Sequence, residues 1–247
     1  MRKKLSYRLM NSNIADKTLF TWPANISGAK IVQMSLREKV KIIPLKKPPG
    51  YIAGVDAAFQ EDKVAGAVCL YRYPGLIPVE DASVVKRVSF PYIPGYLSFR
   101  EGPVIVELIE KLEIKPDVII FDGQGIAHPK GLGIASHIGV LLDLPTIGCA
   151  KSRLIGDYME PGSRKGSWSL LYFNGTTVGA VLRTRDNVRP LFVSPGHRID
   201  LQASIEIVLN CCVKYRIPEP IRRADSLAGR LKTCKTQPVL TPQNPKV

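Results

Sequence analysis

Hydrophobic and polar positions along the chain change their period several times, and the changes mark out its elements. Residues 28–42 set Ile31, Val32, Met34, Leu36, Val40 and Ile42 among polar residues, several at helical spacing, which predicts an amphipathic leading helix. The stretch Lys46-Lys47-Pro48-Pro49-Gly50 breaks that pattern, and β-rich segments follow at 51–60, 63–73 and about 79–90. Short turns at Glu61-Asp62 and Pro74-Gly75 make them an antiparallel meander.

The rhythm then becomes a helix at about 102–113, the wholly apolar run Val118-Ile119-Ile120-Phe121, a helix at about 131–142 and the short strand Thr146-Ile147-Gly148-Cys149. A continuous apolar strand followed by a helix marks a buried parallel strand. The segments 167–173 and 176–185 flank Asn174-Gly175, a pair that favours a type I′ hairpin. Residues 200–215 read as helical, and the tail 236–247, with Pro238, Pro242 and Pro245 and no core pattern, reads as disordered. The expectation is one α/β domain over 1–235, a mixed β-sheet flanked by helices. Ribonuclease H-like nucleases have that architecture, though not they alone.

Composition adds a partner to this picture. The 247 residues are 45% hydrophobic, enough for a substantial core, and carry a formal charge of +14, which points to a polyanion. The excess is spread from Arg2, Lys3 and Lys4 to Arg222, Arg223, Arg230, Lys232 and Lys235. The five cysteines, Cys69, Cys149, Cys211, Cys212 and Cys234, lack CxxC spacing, which argues against zinc and against a disulfide framework. Cys211 and Cys212 read as buried free thiols. No segment reaches the roughly 18 apolar residues of a membrane span, so a soluble, cytoplasmic protein is expected.

Candidate chemistry begins with carboxylates in apolar company. Asp56 lies in Tyr51-Ile52-Ala53-Gly54-Val55-Asp56-Ala57-Ala58-Phe59, and burying a lone carboxylate there costs several kcal/mol unless it is paired, protonated or metal-bound. Asp122 ends the apolar run before Gly123-Gln124-Gly125, at the carboxyl edge of a parallel strand, where ligand sites concentrate. A salt-bridged Asp56 and a turn-capping Asp122 are the structural alternatives. Glu101 has its own: Ser98-Phe99-Arg100-Glu101 matches a capping box. Pro103 argues for a helix start nearer Gly102, which would leave Glu101 just ahead of the helix and free.

Two prolines stiffen Phe90-Pro91-Tyr92-Ile93-Pro94-Gly95-Tyr96-Leu97, which is either a rigid apolar finger able to part bases or a pair of core tyrosines. His128 and Lys151 follow strand ends, where Lys151 could offset charge on a phosphate and His128 could donate a proton or position a water. His197 and Asp200 sit at a turn into a helix, where Asp200 could equally be an N-cap.

Together the stretches AGVDAAF, FPYIPGYLSFREGP, PDVIIFDGQGIAHPKGLGIASHIG, PTIGCAKSRL, SPGHRIDL and RIPEPIR resemble the endonuclease V family, repair nucleases of ribonuclease H-like fold that act on inosine. The resemblance covers most of residues 51–222. It implies that Asp56 and Asp122 bind metal, that Glu101 is the third catalytic carboxylate, and that His128 and Lys151 belong to the active site. It implies a wedge role for Tyr92 and a hypoxanthine pocket at Gly95, Leu97, Gly123, Ile134 and Leu154, with a further metal role for His197 and Asp200. Tyr96 adds an aromatic beside the wedge.

The implied reaction is hydrolysis of the second phosphodiester bond 3′ to inosine, with Mg2+ as cofactor and Mn2+ as a substitute. The implied partner of a monomer is DNA containing deoxyinosine, with inosine-containing RNA as the alternative substrate. A non-catalytic basic nucleic-acid-binding protein is the competing reading from another class, and it gives no reason to keep Asp56, Glu101 and Asp122 together.

Overall fold

The alternation of side chains along the central strands sorts the core into two layers: Val118 and Ile120 join one buried cluster while Ile119 and Phe121 join the other. The computed structural model describes residues 6–7 and 20–233. The tail expected at 236–247, Cys234, and Arg2, Lys3 and Lys4 lie outside the described residues.

Among the described residues the chain runs β1 (Ser6–Tyr7), β2 (Phe20–Thr21), α1 (Ile26–Arg37), β3 (Tyr51–Gln60), β4 (Lys63–Arg72), β5 (Ile77–Arg87), α2 (Leu97–Lys111), β6 (Val118–Phe121), α3 (Ile134–Leu142), β7 (Thr146–Ala150), β8 (Asp157–Tyr158), β9 (Trp168–Phe173), β10 (Thr176–Leu182), β11 (Leu191–His197), α4 (Leu201–Cys211) and α5 (Glu219–Thr233). β1 pairs with β2, and the other nine strands form one mixed sheet in the order β5-β4-β3-β6-β7-β11-β10-β9-β8. β3, β6 and β7 are mutually parallel, and the remaining pairs are antiparallel.

Helices α1, α2 and α3 cover one face, contributing Leu36, Ile105, Ile109, Ile134 and Ile138 to its core. Helices α4 and α5 cover the other through Ile205, Val208 and Ile221. No helix among the described residues is long and apolar enough to cross a membrane. Cys69, Cys149, Cys211 and Cys212 are free and buried, as expected for the last two.

The meander, the parallel strands and the hairpin follow the expected pattern. Asn174 and Gly175 both have positive φ (50° and 74°), the backbone that a type I′ turn requires. Several boundaries differ, three of them as follows. The leading helix stops at Arg37 rather than near residue 42, because Lys39 and Val40 donate to Leu36 and Arg37 in tighter turns and Lys41 N–H turns aside to His197 Nδ1. α4 ends at Cys211 instead of residue 215.

The third boundary corrects the reading of Glu101. α2 begins at Leu97, so Glu101 stands on its second turn and Pro103 lies inside it. Packing outweighs the proline: Phe99 is wedged among Trp22, Phe90, Tyr96 and His137, which fixes the helix start upstream. Ser98 is no cap either, since its Oγ lies 2.7 Å from His137 Nδ1.

Candidate active site

Strand register brings the two aspartates together. β3 and β6 are parallel with Val55 opposite Phe121, so the next residues, Asp56 and Asp122, are neighbours across the strand pair. Helix α5 lies close over β3 at this point. A Cβ on Gly54 would come within 2.2 Å of the Pro220 carbonyl carbon, so only glycine lets the helix approach. That approach sets Asp225, on α5, against the Asp56 carboxyl, with which it shares a hydrogen bond when one of the two is protonated.

The result is a crowd of like charges. Burial pushes Asp56 up to about 7, and the charge of Asp122 and the contact with Asp225 add to it. Glu101 is pushed up to about 8 by burial first and then by Asp56 and Asp122, with Arg100 pulling back. Lys151, the residue after β7, places Nζ 2.5 Å from Asp122 Oδ2. Burial works against its charge, but the hydrogen bond and charge of Asp122, with Asp225 and Asp56 behind it, hold Lys151 above its ordinary pKa.

A set of hard oxygen donors with so little countercharge fits a hard divalent cation, which would relieve the repulsion. Among the described residues no group of three or more His, Cys, Asp or Glu side chains stands in ready coordination geometry, so the fit rests on the chemistry of the donors.

His128 is a buried, neutral imidazole. Burial, with Lys130 nearby, depresses it to about 4. The Lys130 N–H donates to Nδ1 at 3.2 Å, so Nδ1 is the acceptor and the ring proton is assigned to Nε2. Nε2 lies 4.0 Å from where a Cβ on Gly95 would be, so the loop 90–96 runs beside His128.

In that loop Tyr92 is 69% exposed, whereas Tyr96 packs on Phe99 at a ring-centroid distance of 6.0 Å. Tyr92 is thus not a core residue, whereas Tyr96 is partly buried against the aromatic cluster. Below Tyr92, the Arg100 guanidinium lies 4.4 Å from the Phe59 ring centroid and 6.0 Å from that of Tyr92. Gly123 abuts Ile134, so that even a Cβ would crowd its Cγ2 at 2.8 Å, and Leu97 and Leu154 expose apolar side chains.

His197 and Asp200 do not join this cluster. The Asp200 side chain accepts the Ala203 N–H at 2.7 Å as the N-cap of α4. His197 is paired with Thr146, at the opposite end of β7 from Lys151, and its Nε2 lies 3.2 Å from Asp143 Oδ1. The metal role expected for both is therefore withdrawn. A concavity of about 230 Å3 lined by Lys46, Lys47, Asp117, Asp143 and Arg198 lies at that far edge and includes none of Asp56, Glu101, Asp122 and Asp225.

Asp225 is the site residue that the sequence reading missed. Its signal was a single acidic side chain following the helical spacing of Ile221, Ala224 and Ala228 in a segment noted only for RIPEPIR.

The family model for endonuclease V matches residues 34–226. The chain is 50% identical over 215 residues to the endonuclease V of Dictyoglomus turgidum, covering 87% of this chain and 94% of that one. The crystal structure of the Streptomyces avermitilis endonuclease V superposes with a TM-score of 0.81 at 43% identity, covering 85% of this chain and 94% of the other. A variant endonuclease V of Ciona intestinalis, in complex with a 23mer DNA containing an inosine followed by a ribo-adenosine, has a TM-score of 0.73 at 28% identity, covering 83% and 96%.

Proposed function

The chain belongs to the endonuclease V family, and on that footing we propose that it is a metal-dependent deoxyinosine 3′-endonuclease that hydrolyses the second phosphodiester bond 3′ to the modified base and so starts its repair. The observation that carries this reading is the group Asp56, Glu101, Asp122 and Asp225, gathered beside Lys151.

Asp56, Asp122 and Glu101, with Asp225 alongside, would hold Mg2+, for which Mn2+ would substitute. When bound, the ion supplies Lewis-acid charge that activates a water and offsets the charge developing on phosphorus. Lys151 adds positive charge beside Asp122, where a phosphate oxygen gains charge in the transition state. His128, neutral at pH 7, offers its Nε2–H as a hydrogen-bond donor and is not an imidazolium. Tyr92 enters the space of the displaced base and is steadied from below by Arg100 and Phe59. Gly95, Leu97, Gly123, Ile134 and Leu154 receive the base, whose pairing edge is read but whose glycosidic bond stays intact.

The test is cleavage of end-labelled oligonucleotides with inosine in DNA or in RNA, in Mg2+ or chelator, by the natural protein and Asp122→Ala. Cutting immediately 3′ of the inosine's 3′ neighbour, abolished by chelator and by the substitution, is the expected result. Undiminished cutting by Asp122→Ala, or none by the natural protein on any inosine strand, would overturn the assignment. A faster rate on the RNA strand would move the substrate from DNA to RNA.

A further inference from the structure

Gln33 is a polar side chain in an unexpected place. It lies on α1, one residue ahead of the span matched by the family model, and is only 3% exposed. Its Nε2 donates to the carbonyl of Gly95 at 3.0 Å, across 62 residues of sequence. A buried amide needs such a partner, but nothing about core packing requires the partner to be this loop.

The loop it holds has a defined shape. Tyr96 N–H donates to Ile93 O at 3.0 Å, closing a turn with Pro94 second and Gly95 third. Gly95 has φ +82°, the conformation that the third position of a type II turn demands and that glycine supplies without strain. The Gly95–Tyr96 peptide is thus held at both ends, its carbonyl by Gln33 and its N–H by Ile93. The preceding peptide keeps the Gly95 N–H, which among the described residues donates to nothing. Gly95 lies exposed beside His128, whose Nε2 is 4.0 Å from where a Cβ on the glycine would stand.

Base chemistry gives that N–H a use. Hypoxanthine carries a carbonyl oxygen at C6, an acceptor, where adenine carries an amino group, a donor. A fixed N–H facing C6 accepts the first and opposes the second, and a site built around one such bond rejects the analogue that cannot make it. We propose that Gln33 is a positioning residue for base selection, clamping the Ile93–Tyr96 turn so that the Gly95 N–H is presented to the 6-oxo group of inosine. This rests on the inosine-directed reading above and adds the residue that enforces it from outside the cleft.

The experiment compares single-turnover cleavage of strands identical except for inosine or adenosine. Gln33→Met keeps the length and removes the donor. The inosine preference is expected to fall about tenfold, the size of one neutral hydrogen bond, with the melting temperature nearly unchanged. Gln33→Lys, which can still donate to the Gly95 carbonyl, should retain most of the preference. A Gln33→Met protein with the full natural preference overturns the inference, as does equal loss on both strands.

If Gln33→Met does not fold, the natural protein is tested on a purine nucleoside lacking the 6-oxygen, and cutting as fast as on inosine overturns the proposal. A natural protein with no inosine preference at all overturns the functional reading itself, a result distinct from an unaltered Gln33→Met.

Discussion

Lys151 and Asp122 each stand one residue beyond the end of a parallel strand, β7 and β6, and their side chains meet at 2.5 Å. The pair is the only positive charge in direct contact with the carboxylate group among the ion pairs of the described residues. Lys151→Ala is therefore expected to slow single-turnover cleavage by about 10²-fold, the usual cost of removing one preorganised electrostatic partner. Substrate affinity in chelator should change little. An unchanged rate would remove Lys151 from the chemistry.

Tyr92 is exposed and packs no core, so Tyr92→Ala should leave stability within about 0.5 kcal/mol. Binding of an inosine strand should weaken by about 1–3 kcal/mol, the value of one aromatic stacked on a base. Fluorescence anisotropy with labelled strands and a parallel titration of metal separate the two roles. Equal loss of metal and strand binding would contradict a wedge.

Glu101 illustrates a site that costs the fold stability. Its carboxyl is held at about 8 against an ordinary 4.5, so ionising it opposes folding between those limits and the native state favours the protonated form. The favourable contribution is complete below pH 4.5 and is lost as the pH rises through about 8. Glu101→Gln should accordingly stabilise the protein in chelator at pH 8.5, on the order of 1 kcal/mol or more, while suppressing cleavage. Denaturant melts with and without chelator check this.

His137 acts with the opposite sign. Fully enclosed by Trp22, Phe20 and Phe99, it is pushed by burial from 6.5 to about 3, so the native state excludes its proton. Stability is complete above pH 6.5 and declines as the pH falls toward 3. Each pH unit in that window costs on the order of 1 kcal/mol from this group. His137→Gln should flatten the slope measured by urea melts between pH 6.5 and 4. An identical slope would mean that other groups take up the protons.

Much of this site was legible because its residues interrupt regular patterns. Asp56 breaks an apolar strand and Asp122 ends one, and both positions follow from period alone. Asn174-Gly175 announced its turn through a backbone need that few residues meet. Glu101 was assigned to the site for a wrong local reason: Pro103 was read as a helix start, whereas the aromatic packing of Phe99 sets that start at Leu97.

Asp225 and Gln33 left fainter traces, since each is an ordinary polar residue on a helix whose importance lies in what sits across from it. Such contacts depend on how α1 and α5 dock, and no local pattern encodes docking. His197 and Asp200 failed for a related reason: their motif is contiguous in sequence with β11, but that strand runs antiparallel to β7 and carries them to the far end.

The close seat of α5 on Gly54 also orders events during synthesis. Asp56 leaves the ribosome early, whereas Asp225 belongs to the last helix described, so the full set of carboxylates cannot assemble until α5 has been made. A chain made only as far as β11 lacks the helix that brings Asp225 to Asp56.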